Sequence, residues 1–306
     1  MTIKTHTQLK SALLLLLAAV IWGSAFVAQS VGAELVPPFT FNAVRYIMGG
    51  AILAPLSILI RRFSREQAQR HEQKKSHKKA MIAGGLSCGF FLFGASALQQ
   101  AAMATTSAGK AGFLTALYII IVPLIGLLFK KRHGPLLWIA IIIALVGMYL
   151  LCIKEQFTIN QGDLMVILCA VVYSGHIWVI DYFLPRVDPV MLAYAQFFAA
   201  GFMSLLVALV FEKTTVQALL DAWLPLIYTG VLSSAVAFTL QMVAQKYVGP
   251  TIAALVCSTE SVFAALFGWI ILGQVLLPKE MAGCVLVFAA IMLAQLPGKS
   301  KRKQEG

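Results

Sequence analysis

The sequence predicts an all-α integral membrane protein with ten transmembrane helices, and three observations support this fold class. Of the 306 residues, 60% are hydrophobic and 12% are charged, whereas a soluble domain carries about 25% charged residues. The apolar residues form ten runs of about 20 residues, the length that crosses the hydrocarbon core of a bilayer. The Lys and Arg residues concentrate on alternate connections between these runs, as they do in the cytoplasmic loops of membrane proteins.

The ten predicted spans are bounded by charged residues, proline and glycine. The first span follows Lys4 and Lys10, as in a signal peptide, but its apolar run continues to about Ala33, which is too long for the apolar part of such a signal. We therefore interpret it as an uncleaved first helix. The spans cover residues 11–31, 39–60, 80–101, 107–129, 135–153, 163–183, 189–211, 222–243, 251–272 and 278–296.

The placement of positive charge predicts the orientation in the membrane. If the N-terminus is cytoplasmic, 19 of the 24 Lys and Arg residues lie in inner segments and four lie in outer segments. This bias predicts a multi-pass protein of the bacterial inner (plasma) membrane with both termini in the cytoplasm. The basic connection 61–79 carries eight of the inner charges, and we expect it to contact anionic lipid head groups. The basic residues do not alternate with aromatic residues that could stack on bases, so no nucleic-acid partner is expected.

An internal repeat relates the two halves of the chain. A shift of 151 residues overlays the first two spans on the sixth and seventh and places Arg45 on Gln196. A shift of 142 residues overlays the fourth span on the ninth and places Tyr118 on Glu260. Because each half holds an odd number of helices, the halves must cross the membrane in opposite orientations. The sequence thus predicts two inverted five-helix repeats around a central cavity, an architecture of secondary transporters. The predicted units are residues 1–153, residues 154–298 and a basic cytoplasmic tail, 299–306.

Two charged residues stand out well inside predicted spans; a charge at the bilayer centre costs at least ~2.5 kcal/mol. Glu260 lies near mid-depth of the ninth span and could couple transport to the uptake and release of a proton. It could equally be a neutral carboxyl group that links two helices. Arg45 lies about two turns into the second span and could attract a substrate carboxylate. The alternative is that Arg45 snorkels to the outer head groups or pairs with a carboxylate of the protein.

Uncharged residues complete the candidate substrate-binding set. Trp22 and Trp178 lie well inside their spans, whereas interfacial tryptophans lie at span ends. With Tyr118 they could form an amphipathic wall for a small organic molecule. The alternative for each residue is plain helix packing, in which the polar side chains join helices by hydrogen bonds of ~0.6 kcal/mol. The uncharged candidates are Trp22, Asn42, Gln99, Tyr118, His176, Trp178, Gln196 and Gln241.

Other function classes lack their motifs in this sequence. The five cysteines lie in apolar segments without a CxxC pair, so neither a metal nor a cofactor is predicted. A membrane-embedded enzyme acting on a lipid or prenyl substrate is the alternative function, but the sequence has no DxxD or HExxH motif. It also lacks the GxxxxGK[ST] phosphate loop of a primary pump. We predict a protein that is not an enzyme and that acts on a small-molecule substrate as a monomer or homodimer.

Short motifs occur in a fixed order along both halves. They are AAVIWG at 18–23, FNAVRY at 41–46, TSAG at 106–109, FLTALY at 113–118, VP at 122–123, TESVFA at 259–264 and GW at 268–269. In order and spacing, the chain resembles the EamA-type branch of the drug/metabolite transporter superfamily over about residues 11–296. The resemblance implies two inverted five-helix halves and transport without ATP hydrolysis. We accordingly expect export or exchange of small organic metabolites, such as amino acids, amines or toxic compounds, by alternating access. One departure is Gln274 after Leu272-Gly273, where the family often has an acidic residue.

Overall fold

The computed structural model of the chain describes residues 3–67, 71–131, 134–152, 160–273 and 277–295. Within these ranges all regular structure is helical and no strand occurs, which confirms the predicted helical class. A π-helical segment, Tyr228–Phe238, connects α10 to α11. The helices are α1 (Ile3–Leu35), α2 (Pro38–Gln67), α3 (His71–Ala102), α4 (Ala108–Thr115), α5 (Tyr118–Leu128), α6 (Pro135–Cys152), α7 (Gln161–Phe183), α8 (Pro189–Phe211), α9 (Val216–Asp221), α10 (Trp223–Ile227), α11 (Thr239–Cys257), α12 (Glu260–Leu272) and α13 (Pro278–Gln295).

Seven helical stretches are long and apolar enough to cross a membrane, judged by their length and composition. Six of them correspond to the first four predicted spans and to the sixth and seventh. The eighth and ninth predicted spans fall within one stretch, Trp223–Ile271, and the fifth corresponds to a shorter apolar helix, Pro135–Leu150. The fold is therefore a membrane-type helical bundle, and the count of ten spans remains a prediction.

The basic connection 61–79 differs from the predicted loop in its local conformation. Helix α2 continues to Gln67 and α3 begins at His71, so most of the stretch is helical. Arg, Lys, Glu and Gln are good helix formers, and the stretch contains neither glycine nor proline. The two helices therefore extend beyond their apolar parts. The predicted tail 299–306 lies outside the described residues.

Helices of the two predicted halves pack against each other and do not form separate bundles. Helix α2 packs along α8, α6 packs along α13, and α3 packs against both α7 and α8. Glycines bring these backbones close: an added Cβ at Gly85 would lie 2.5 Å from Ala195 Cβ, and one at Gly147 would lie 2.7 Å from the Gly283 carbonyl oxygen. Such contacts between small residues are expected in a bilayer, where close packing drives helix association.

Two predicted spans are interrupted in the interior of the bundle. The fourth is broken after Thr115 and resumes as α5 at Tyr118. The ninth is broken after Cys257 and resumes as α12 at Glu260. The two breaks coincide under the 142-residue shift. A third irregularity is Gly249 (φ 76°, ψ 172°), which divides α11 into two helical parts. The breaks place Tyr118 and Glu260 at the first positions of two half-helices.

Candidate functional site

A pocket lies where α1 to α5, α7, the π-helical segment, α11 and α12 meet. It holds about 560 Å³ of empty space, a volume that includes the solvent at its open mouth. Aromatic rings alternate in its wall with amide, guanidinium and carboxyl groups. The lining residues are Trp22, Phe26, Gln29, Arg45, Tyr46, Gln99, Thr115, Tyr118, Tyr173, His176, Ile177, Ser233, Phe238, Gln241, Cys257 and Glu260.

Glu260 and Tyr118 meet at the starts of their half-helices. The Tyr118 hydroxyl donates a hydrogen bond to Glu260 Oε1 at 2.9 Å. Both residues are buried, and Glu260 is 5% exposed. Among the described residues, no cationic group lies within 4 Å of the Glu260 carboxyl group. The pocket therefore contains an acid that is held in place by a neutral hydroxyl and has no ion-pair partner in the part of the chain that the structure describes.

Arg45 places a guanidinium in the pocket wall. Its Nη1 donates to Gln29 Oε1 at 3.0 Å, and its Nη2 donates to the Tyr46 hydroxyl at 2.9 Å. The guanidinium carbon also lies 4.7 Å from the centroid of the Tyr46 ring, a favourable cation–π distance. Arg45 is 3% exposed and has no carboxylate within 4 Å in the described part of the chain. It therefore neither snorkels to a surface nor pairs with a carboxylate of those residues.

Neutral polar residues of the pocket are tied to neighbouring helices. Gln99 Nε2 donates to Thr115 Oγ1 at 3.1 Å. His176 Nε2 donates to Gln196 Oε1 at 2.9 Å, which joins α7 to α8. Gln241 makes a long contact of 3.5 Å with an amide one turn further along α11. All three of Gln99, His176 and Gln241 line the cavity.

Trp22 connects α1 to the π-helical segment. Its indole Nε1 donates to the Ser233 carbonyl oxygen at 3.2 Å. Its ring packs edge-on against Phe238, with the ring centroids 4.9 Å apart. The side chain is thereby held as one wall of the pocket, with its polar edge satisfied by backbone.

The structure brings seven of the ten sequence-predicted residues to the pocket and places three elsewhere. Gln196 is buried behind His176. Asn42 is fully buried, and neither of its amide atoms has a hydrogen-bond partner among the described residues. Trp178 joins α7 to α5, because its Nε1 donates to the Val122 carbonyl oxygen at 2.9 Å and its ring lies 4.5 Å from Lys131 Nζ.

Sequence reasoning missed nine lining residues. Five of them occupy repeat positions of other lining residues: Tyr173 corresponds to Trp22, Phe26 and Ile177 correspond to each other, and so do Thr115 and Cys257. Because Trp22 was already a candidate, applying the repeat alignment to it would have identified Tyr173. The other missed residues are Gln29, Tyr46, Ser233 and Phe238. Gln29 is an amide inside the first predicted span, the same signal that identified Gln99, whereas aromatic side chains and serine do not by themselves distinguish a pocket position from another position in a span.

The chemistry of the pocket suits reversible binding of a small polar molecule. In the described part of the chain, no group of three His, Cys, Asp or Glu side chains is arranged to hold a metal ion. The pocket offers one cationic group, one acid, several amides and hydroxyls, and aromatic surface. This combination can orient a small organic ligand by its polar groups.

The helical bundle and its polar pocket define a membrane-type helical protein with an internal cavity, and comparison with known families specifies its class. The family model described as the EamA-like transporter family matches residues 9–153 and again residues 160–296. The chain therefore belongs to the EamA-like transporter family.

Relatives named as transporters match the chain over most of its length. An uncharacterized transporter of Archaeoglobus fulgidus is 29% identical over 287 residues, which cover 92% of this chain and 84% of that protein. The uncharacterized transporter YoaV of Bacillus subtilis is 22% identical over 89% of this chain and 92% of its own. The uncharacterized inner membrane transporter YedA of Escherichia coli K12 is 23% identical over 90% and 87%. A solved crystal structure with 17% identity has a TM-score of 0.74 over 94% of this chain and 96% of its own, so it shares the fold.

Proposed function

We propose that the chain is a secondary transporter that exports or exchanges small organic metabolites, such as amino acids, amines or toxic compounds, by alternating access across the cell membrane. The symmetry of the pocket lining carries this proposal. Five pairs of lining residues coincide under the repeat shifts of 151 and 142 residues. A cavity lined jointly by both repeats is what two halves rocking around a fixed site require. The pairs are Trp22 and Tyr173, Phe26 and Ile177, Gln99 and Gln241, Thr115 and Cys257, and Tyr118 and Glu260.

Contacts between repeat-related residues support an inverted arrangement of ten helices. A residue can touch its own repeat counterpart only close to the axis that relates them. The rings of Tyr46 and Phe197, which coincide under the 151-residue shift, stack with centroids 5.8 Å apart and planes within 8°. Tyr118 and Glu260, which coincide under the 142-residue shift, are hydrogen-bonded. We therefore propose that a pseudo-twofold axis in the membrane plane passes through the pocket.

Reciprocal packing of α2 and α8 supports the same axis. An added Cβ at Gly50 would lie 2.8 Å from Phe198 Cε2, and one at Gly201 would lie 2.9 Å from Ile47 Cγ1. Gly201 is the repeat counterpart of Gly50, and Phe198 is that of Ile47, so one contact occurs twice in opposite directions. A twofold operation generates such reciprocal pairs. The separate matches of the family model to residues 9–153 and 160–296 agree with one repeat in each half.

The proposed topology is tested by labelling single cysteines introduced at Glu34 and Lys279 in a cysteine-free background. With both termini in the cytoplasm and ten spans, both positions face outwards. A membrane-impermeant maleimide added to intact cells should therefore label both. Labelling of the two positions from opposite faces would refute the inverted repeat, and alternating access around a shared pocket would lose its basis.

We further propose that Glu260 couples transport to protons. The carboxyl group lines the pocket, accepts a hydrogen bond from Tyr118, and has no cation within 4 Å among the described residues. A proton and a substrate can then compete for the same pocket. This competition is sufficient for coupling when the pocket opens alternately to the two sides.

The coupling is tested in proteoliposomes with an imposed pH gradient, using a cargo found by screening amino acids, amines and organic toxins. Glu260→Gln should abolish gradient-driven accumulation and retain exchange of labelled for unlabelled cargo. Glu34→Gln, the same chemical change at an exposed position outside the pocket, is the matched control and should behave as wild type. Accumulation at the wild-type level by Glu260→Gln would exclude the proton role.

A further inference from the structure

We propose that the cargo carries a carboxylate group that binds Arg45, and that the pocket therefore selects small organic carboxylates over amines. This inference rests on the transporter function proposed above and names the substrate class of the same pocket. Its starting point is the guanidinium of Arg45, which is buried yet lines the cavity.

No carboxylate of the described residues lies within 4 Å of the Arg45 guanidinium. The two ion pairs that they form lie outside the pocket lining. Arg45 instead donates to two neutral acceptors, the Gln29 amide oxygen and the Tyr46 hydroxyl, which use two of its five N–H donors. Its Nε has no hydrogen-bond partner among the described residues. Burying a charge without a counter-charge is costly, so an anionic group of a ligand would relieve that cost.

The second half of the chain indicates that helix packing does not require this charge. Gln196 occupies the position of Arg45 in the repeat alignment. In the first half, Arg45 on α2 donates to Gln29 on α1, and in the second half Gln196 on α8 accepts from His176 on α7. A neutral pair therefore makes the equivalent helix-to-helix link. Arg45, which carries the charge, lines the pocket, whereas its neutral counterpart Gln196 does not.

The remaining wall fits a small apolar body attached to the carboxylate. The rings of Trp22, Tyr173 and Phe238 provide apolar surface, and dispersion contacts with such rings suit aliphatic and aromatic groups alike. Glu260 supplies a second, acidic position in the same lining, where the ammonium group of an amino acid would find a partner. Simple carboxylates and amino acids both satisfy Arg45. An amine without a carboxylate can pair with Glu260, but it leaves Arg45 unpaired and adds a charge of the same sign as Arg45 to the pocket.

The proposal is tested by binding three ligands that share an isobutyl body. They are 4-methylpentanoate, with a carboxylate; leucine, with a carboxylate and an ammonium group; and 3-methylbutylamine, with an ammonium group. Isothermal titration calorimetry on the full chain in nanodiscs should give at least about 10-fold tighter binding of the two carboxylates than of the amine. Arg45→Gln should weaken carboxylate binding by about 10- to 100-fold, because charge-assisted hydrogen bonds are lost.

Two further variants make the test specific. Arg45→Lys keeps the charge but loses the planar fork of donors, so it should weaken binding less than Arg45→Gln and keep the preference for carboxylates. Arg186→Gln is the matched control, because Arg186 also lies over a tyrosine ring, 4.1 Å from the centroid of Tyr182, but is exposed and outside the pocket. It should bind all three ligands as wild type does.

The outcomes separate this inference from the transporter function. Preferential binding of the amine, binding of none of the three ligands, or unchanged carboxylate binding by a folded Arg45→Gln would each overturn the carboxylate proposal. Thermal unfolding establishes whether Arg45→Gln is folded, and Arg45→Lys decides the question if it is not. Binding is measured without a gradient, so the two proposals can fail separately. Absence of the carboxylate preference would not argue against transport of another cargo. Absence of gradient-driven uptake would not argue against the binding result.

Discussion

The packing of α1 against α12 predicts a large loss of stability for Gly23→Ala. The added Cβ would lie 2.3 Å from Phe263 Cβ and 2.8 Å from both the Ala264 amide nitrogen and the Glu260 carbonyl oxygen. Two of these atoms belong to the backbone and cannot rotate away, so the two helices must separate. Over-packing costs about 1–3 kcal/mol, and the backbone contacts favour the upper end, about 3 kcal/mol. Alanine returns about 1 kcal/mol through its higher helix propensity, which leaves a net loss of about 2 kcal/mol in the free energy of unfolding.

Gly94→Ala is the matched control for this prediction. Its added Cβ would meet Val172 Cγ1 at 3.6 Å, an ordinary van der Waals distance. Without a clash, the propensity gain of up to about 1 kcal/mol remains, so this variant should be as stable as wild type or more stable. Both variants are compared with wild type by denaturant titration in detergent, followed by circular dichroism. Equal midpoints for Gly23→Ala and Gly94→Ala would show that α1 and α12 do not pack as closely as the structure places them.

Three further features predict changes in the free energy of unfolding: the burial of two aspartates, the backbone conformation of Gly249, and the proposed axis. Asp163 is fully buried and accepts hydrogen bonds from a lysine, a threonine and the backbone N–H of its capping box, so Asp163→Asn should cost about 2 kcal/mol in unfolding free energy. Asp181 forms a partly exposed ion pair, so Asp181→Asn should cost less than about 1 kcal/mol in the same titration; equal losses at the two sites would contradict the difference in burial. Gly249 has a φ of 76° and a ψ of 172°, a backbone conformation that residues with a side chain rarely adopt. Gly249→Ala should therefore cost about 1–3 kcal/mol in unfolding free energy. An unchanged midpoint would contradict this backbone conformation. The double variant Tyr118→Glu with Glu260→Tyr exchanges the two hydrogen-bonded residues, so a tyrosine hydroxyl at position 260 should donate to a carboxylate at position 118. This double variant should be closer to wild type in unfolding free energy than either single variant. A double variant no more stable than the single variants would argue against the axis.

The sequence predicted charged pocket residues well because a charge inside an apolar run is visible without a structure. Glu260 and Arg45 both line the pocket. The sequence could not tell which face of a helix an uncharged side chain occupies. His176 faces the pocket, and Trp178 follows it by two residues, or about 200° around an α-helix. The two therefore point to opposite sides, and Trp178 packs against α5.

The helix breaks were not predictable from composition. Residues 116 and 117 are Ala and Leu, and residues 258 and 259 are Ser and Thr, so neither break coincides with the glycine or proline that normally indicates one. The first break lies within an apolar run that resembles a continuous span. The second lies in the polar stretch 258–261, where the hydroxyls of Ser258, Thr259 and Ser261 donate to backbone carbonyls three residues earlier, a contact that bends helices. The repeat alignment nevertheless placed Tyr118 on Glu260 and so paired the two residues that the structure joins by a hydrogen bond.

The proposed pseudo-twofold axis explains why the hydrogen-bonded pair at the centre of the pocket, Tyr118 and Glu260, consists of unlike residues. On an exact axis each side chain meets an identical copy of itself, and two carboxylates in contact would repel each other unless they shared a proton. Divergence into Tyr118 and Glu260 supplies a donor and an acceptor instead. The packing pair Gly50 and Gly201 is identical. Two repeats fused in one chain, as proposed, would permit an asymmetric pocket inside a nearly symmetric scaffold, which a homodimer of identical five-helix units could not provide. Specificity is therefore expected to reside in the positions where the two repeats differ.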